Sequence, residues 1–131
     1  MTRYLLDTHV LYRWMRNDRR LGRDIRRLLA RSDCTVSAAS LWEMMIKNAR
    51  GKLPLPAGSL VDALETQGFG LLSVSGRHVE ATRRFHPAIA DPFDRLLVAT
   101  AGEENMLLLT QDAAILELAE TTQLPVARIT A

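Results

Sequence analysis

Four carboxylates, Asp7, Glu43, Asp94 and Asp112, carry the chemistry this sequence offers. Asp7 ends the apolar run Arg3-Tyr-Leu-Leu6, and Asp112 follows Leu107-Leu-Leu-Thr110-Gln111. Glu43 falls one to two turns into a helical segment after Cys34-Thr-Val36, and Asp94 in the first turn of a helix opened by Asp91-Pro-Phe. Carboxylate oxygens are hard ligands suited to Mg2+ or Mn2+. Gathered in one place they repel one another, and a divalent cation resolves that repulsion. Each acid also has an ordinary reading. Asp7 and Asp112 can cap helices, Asp94 can be a first-turn acid favoured by the helix dipole, and Glu43 can pair with Lys47 four residues on. Asp91 reads better as the cap before Pro92 than as a ligand. One such acid decides little; four in separate strand–helix units count for more. Thr8 and Thr110 either hydrogen-bond these carboxylates or cap helices, while Lys47 and Arg95 either meet the acids or substrate phosphate or form structural ion pairs.

The elements that must position these groups follow from periodicity. Strands are expected over 3–6, 34–36, 69–74, 106–110 and 126–129. Helices are expected over 8–15, from an Asp18 cap to 31, from Ser37 or Ser40 to 49, and over 58–67, 76–85, 92–104 and 113–121. Ser40-Leu-Trp-Glu43 fits a capping box, although Ser37 caps equally well. Strand and helix alternate throughout, which predicts an α/β/α sandwich around a mostly parallel sheet of four to five strands. In such sheets the residues just past the strand C-termini converge on one crevice. The acids occupy those positions.

Length and composition bound the rest. At 131 residues, with 47% hydrophobic and 24% charged residues, the chain reads as one globular domain spanning 1–131. No apolar run approaches the roughly 20 residues needed to cross a bilayer. The first seven residues do not make a secretory signal, and the single cysteine, Cys34, allows no internal disulfide, so a cytoplasmic protein is expected. Cys34 reads as a buried small apolar residue, and the methionines and Trp42 as core in preference to a partner-facing surface. His9, His78 and His86 are too scattered for a zinc site. Net charge is only +2, yet eight of 17 basic residues are the arginines 13, 16, 19, 20, 23, 26, 27 and 31. That patch suits either a polyanionic partner or a plain solvated face. There is no glycine-rich phosphate loop, and His9 stands where a haloacid-dehalogenase-like phosphotransferase would need a second aspartate.

Leu5-Leu-Asp7-Thr8-His9-Val-Leu, Ser40-Leu-Trp-Glu43-Met-Met-Ile-Lys47, Gly51-Lys52-Leu53, Asp91-Pro-Phe-Asp94-Arg95-Leu-Leu-Val-Ala and Thr110-Gln-Asp112 together resemble PIN-domain proteins, above all the bacterial VapC-like toxins. The resemblance runs from about residue 3 to 128, and Asp91-Pro-Phe-Asp94-Arg95 is its most specific part. It implies a Mg2+- or Mn2+-dependent ribonuclease whose acidic pocket is Asp7, Glu43, Asp94 and Asp112. It also implies a homodimer neutralised by a small antitoxin. Relatives often carry histidine directly before the Asp-Pro, whereas here His86 stands five residues before Asp91. The competing reading is a PIN-like module that binds RNA or protein without cutting.

Overall fold

The computed structural model describes residues 2–31 and 33–128. Its strands are β1 (Arg3–Leu6), β2 (Asp33–Ser37), β3 (Gly70–Leu72), β4 (Leu107–Thr110) and β5 (Val126–Arg128). Its helices are α1 (Thr8–Met15), α2 (Arg23–Arg31), α3 (Ala38–Ala49), α4 (Leu60–Thr66), α5 (Gly76–Ala81), α6 (Pro92–Glu103) and α7 (Ala113–Thr121). All four strand pairings are parallel, in the order β3-β2-β1-β4-β5. The chain builds outward from β1 on one side, then returns to build outward on the other. β1 and β4 are therefore neighbours whose outgoing connections part company, which opens a crevice above their C-terminal ends. Asp7 and Asp112 leave the sheet at that switch point.

Strand alternation sorts the core onto two faces. Leu6, Cys34, Val36 and Leu109 face a layer formed by Val10, Leu11, Ile25, Met44 and Leu64. Leu5 and Leu108 face Leu97, Val98, Ala101 and Ile115 on the other side. Leu5 and Leu6 are both fully buried, and truncating either to alanine costs about 2–5 kcal/mol. Helices cover both faces, so the expected sandwich is the observed one, with every strand parallel.

Local differences from the sequence reading have identifiable causes. The single helix expected over 18–31 is split: Asp18 caps a 3-10 turn at Arg19–Leu21, and Gly22, at φ 81°, breaks the path before α2. Ser37 caps α3 by accepting from the Ala39 amide, while Ser40 turns inward and accepts from Thr8 Oγ1 at 2.9 Å. The Ser40–Glu43 capping box does not form, and Glu43 is left free for other contacts. The segment expected as one helix over 76–85 is α5 followed by a 3-10 turn at Thr82–Phe85. The third strand is shorter than expected, an edge strand of Gly70–Leu72. Ile129, placed in the last strand from sequence, lies outside the described residues. Cys34 is buried as expected, and burial pushes its thiol up to about 11. Trp42 is not core: it is 63% exposed on α3, with Met45 beside it also exposed. Among the described residues no helix is long and apolar enough to cross a membrane.

Candidate active site

Asp7 is fixed from both sides. Its amide donates to the Leu109 carbonyl at 3.0 Å, which pins the end of β1 to β4. Its carboxylate is only 1% exposed, and Oδ2 accepts from Thr110 Oγ1 at 2.7 Å. Although Asp7 occupies the N-cap position of α1, its side chain makes no capping bond. Oδ1 is buried and has no hydrogen-bond partner. An unpaired buried carboxylate oxygen is costly. It persists because Thr110 and the β1–β4 pairing hold the residue in place.

Thr110 extends that grip to the next acid. Its hydroxyl also accepts from the Asp112 amide at 3.0 Å, so one side chain ties Asp7 to the loop that carries Asp112. Asp112 caps α7 as well, accepting from the Ile115 amide through Oδ1. Across the crevice, Asp91 caps α6: its Oδ1 accepts from the amides of Phe93 and Asp94. The sequence reading of Asp91 as cap therefore holds, and Asp94 presents its carboxylate from a fixed first turn. Glu43 is buried on α3, with Oε2 3.1 Å from Lys47 Nζ and Oε1 unpartnered. Both readings of Glu43 thus coexist, a salt bridge at four-residue spacing and a free buried oxygen.

Electrostatics shows that the acids share one field. Asp94 is pushed up to about 7, first by burial and then by the charges of Asp7, Asp91, Asp112 and Glu43. Burial raises Asp7 as well. The Thr110 hydroxyl and His9 oppose that rise, and Asp112 adds to it. Two clefts flank Asp112. One, of about 270 Å3, is lined by Asp91, Asp94 and Asp112 with Ile89, Ile115 and Leu118. The other, of about 130 Å3, is lined by Asp7, His9, Arg13, Gln111 and Asp112.

Hard oxygen donors with two orphaned buried atoms and mutual repulsion suit a divalent cation. Among the described residues no three carboxylate, histidine or cysteine side chains stand close enough to enclose an ion by themselves. A divalent cation held by fewer carboxylates would complete its shell with water.

Two residues predicted near the acids do something else. Thr8 bonds Ser40, not a carboxylate. Arg95 forms no ion pair among the described residues; it donates to the Ile89 and Ala90 carbonyls and braces the loop before Asp91. His78 is buried and structural, with its ring against Ser75 N and Glu104, whereas His9 and His86 are exposed. Sequence reasoning missed Gln111, which joins Arg13 Nη1 to the Arg20 carbonyl. The available signal was its place between Thr110 and Asp112 at a strand end.

The PIN domain family model matches residues 4–121. The chain is 33% identical over 119 residues to Ribonuclease VapC22 of Mycobacterium tuberculosis, covering 86% of this chain and 88% of that one. Among solved structures, FitAcB from Neisseria gonorrhoeae superposes with a TM-score of 0.61 at 18% identity, covering 89% of this chain and 93% of that one. VapBC2 from Rickettsia felis, bound to a DNA fragment from their promoter, gives 0.60 at 13% identity, covering 88% and 91%. At these identities the structural likeness speaks to the fold alone.

Proposed function

The chain belongs to the PIN domain family, and from that premise we propose that it is a Mg2+- or Mn2+-dependent endoribonuclease, the toxin of a toxin–antitoxin pair. The observation that carries the reading is the pair of buried, unpartnered carboxylate oxygens, Asp7 Oδ1 and Glu43 Oε1, in the field that raises Asp94. Asp7 and Asp94 would hold the cation, with Asp112 as the supporting acid beside them. When bound, the cation supplies an acidified water and a counter-charge for the phosphoryl oxygens. The chain's own residues do the rest. Thr110 keeps Asp7 in position. Glu43 orients the attacking water through Oε1 while Lys47 steadies Oε2. Water's oxygen bonds to phosphorus as the bond to the leaving ribose oxygen breaks, and the proton the water gives up ends on that ribose oxygen as a hydroxyl.

A relative named as a ribonuclease and structural neighbours solved as toxin–antitoxin complexes support the substrate and the partner. The working form is a homodimer acting in the cytoplasm, where its lone buried thiol stays reduced. The deciding experiment incubates the purified protein, freed of any antitoxin, with a mixed RNA pool in Mg2+ or Mn2+ and then in EDTA. Cutting that needs the metal and vanishes in Asp94→Asn is expected. No cutting with either metal would move the chain to the non-catalytic, RNA- or protein-binding reading.

A further inference from the structure

Arg13 differs from the other arginines of its stretch in its place beside the acids. It is half-buried on α1, as Arg26 is on α2, but it lines the smaller cleft together with Asp7, His9, Gln111 and Asp112. Its Nη1 donates to Gln111 Oε1 at 2.7 Å, and Gln111 Nε2 donates to the Arg20 carbonyl at 2.9 Å. Both ends of the amide are engaged, so the guanidinium is held in one orientation before any ligand arrives. Its partner is neutral, so its charge is intact. Among the described residues no carboxylate forms an ion pair with it. Asp18, which feels its charge, is already bound by Arg20 through both carboxylate oxygens. Thr110, Gln111 and Asp112 thus do three things in consecutive positions: they fix Asp7, orient Arg13 and supply the fourth acid.

We propose that Arg13, positioned by Gln111, is a phosphate subsite, taking a backbone phosphate of single-stranded RNA next to the linkage that is cut. The proposal rests on the ribonuclease reading. A guanidinium fork matches phosphate oxygens and retains most of its five N–H donors after the Gln111 bond. The geometry places that fork in the cleft that the acids Asp7 and Asp112 also line. A strand crossing the cleft therefore meets a cation at one phosphate and the carboxylate crevice at the neighbouring one. Arg13 is a substrate-positioning group, and the reacting phosphorus lies at the acids.

The competing role is a mere tether between α1 and the β4–α7 loop, and charge separates the two. Binding of a short single-stranded RNA of mixed sequence is measured against KCl concentration, with Mg2+ present and in an Asp94→Asn background that leaves the RNA intact. Arg13→Ala is expected to lower the slope of log affinity on log salt by about 0.7, one phosphate's worth on a single strand. Gln111→Glu keeps the bond from Arg13, gives up the donation to the Arg20 carbonyl and offsets the guanidinium charge, and the same drop is expected. Arg13→Lys keeps the slope. In the cleaving protein, Arg13→Ala raises KM about tenfold with little change in kcat, as loss of one charged hydrogen bond to bound substrate predicts. An unchanged slope in Arg13→Ala and Gln111→Glu would sink the subsite and leave the ribonuclease reading standing. Absence of any RNA binding or cutting by the parent protein would remove both.

Discussion

The carboxylate crevice and the arginine-rich stretch 13–31 are both crowded with like charge, yet they treat that charge in opposite ways. In the crevice Asp7 and Glu43 are buried, each with one oxygen that has no partner, while Asp94 and Asp112 are half-buried. In the stretch, Arg20 grips Asp18, Arg26 donates to Asn17 Oδ1 and the Asp18 carbonyl, and Arg16 lies over the Tyr12 ring. Arg19, Arg23, Arg27 and Arg31 stand exposed. Water and salt disperse repulsion between exposed cations within about 10 Å at 0.1 M salt, so that crowding costs the fold little. Burial denies the acids this relief, and their repulsion is available to be released by a bound cation. Unsatisfied charge is informative where solvent cannot reach it.

Removing a buried acid tests the contrast most severely. Asp7→Asn is expected to cut RNA at least ~100-fold more slowly, since an amide is a poor ligand for a hard cation and metal-assisted charge stabilisation is worth several kcal/mol. Its melting temperature should not fall, because a buried charge with one unpaired oxygen has been replaced by a neutral group of the same shape whose carbonyl can still accept from Thr110. A variant that cut at the parental rate would remove Asp7 from the site. One that unfolded would recast it as structural.

The next effect is on stability. Asp94 titrates near 7 in the fold against 3.8 as an ordinary carboxylate. A raised acid binds its proton more tightly when folded, so its stabilising contribution is complete below about pH 4 and is lost as pH rises through 7. Between pH 5 and 8 the metal-free protein should therefore become less stable, by roughly 1–2 kcal/mol after allowing for the partial exposure of Asp94. Asp18, whose carboxyl Arg20 holds far below the usual range, titrates beneath that window. Mn2+ should reverse the loss at pH 8, with about 2.7 kcal/mol gained at a hundredfold excess over its Kd. Thermal melts at the two pH values, with and without the ion, check both statements. A melting point that rose toward pH 8 in EDTA would contradict the crowded crevice.

Thr110→Val probes the support beneath it. The substitution removes the hydroxyl that Asp7 Oδ2 and the Asp112 amide share. A loss of about 1–3 kcal/mol in stability is expected from those unsatisfied buried groups, together with slower cleavage as Asp7 loses its fixed orientation. Unaltered activity would mean that the β1–β4 backbone pairing alone positions Asp7.

The sequence made the crevice legible because the signals there are backbone signals. Apolar runs stop at Asp7 and just before Asp112, and Asp91-Pro92 opens a helix, so strand ends and helix starts fix three acids regardless of side-chain detail. Glu43 was harder, since its spacing to Lys47 reads as an ordinary surface pair and the burial that leaves Oε1 unpartnered does not show in the spacing. What escaped were contacts between residues far apart in the chain. Thr8 meeting Ser40 and Arg13 meeting Gln111 depend on how α1, α3 and the β4–α7 loop pack. Trp42 was misplaced for a related reason: α3 is apolar nearly all round, so periodicity does not say which side faces solvent.

The arginines give the smallest expected effect and the finest division of the surface. If exposure without a partner marks the cations open to RNA, replacing Arg19, Arg23 and Arg27 together by alanine should lower the salt slope of RNA binding by up to about 2, with the melting temperature unchanged. Arg26→Ala should do the reverse. It removes the bonds to Asn17 and the Asp18 carbonyl that hold the turn before α2, at roughly 0.5–1.5 kcal/mol, and leaves the salt slope alone. Salt titrations of RNA binding alongside thermal melts read both quantities on the same variants. A triple variant with the parental slope would make the exposed arginines a solvated face. An Arg26 variant that lost slope but no stability would mean that its hydrogen bonds yield to phosphate, and the division between engaged and open cations would have to be redrawn.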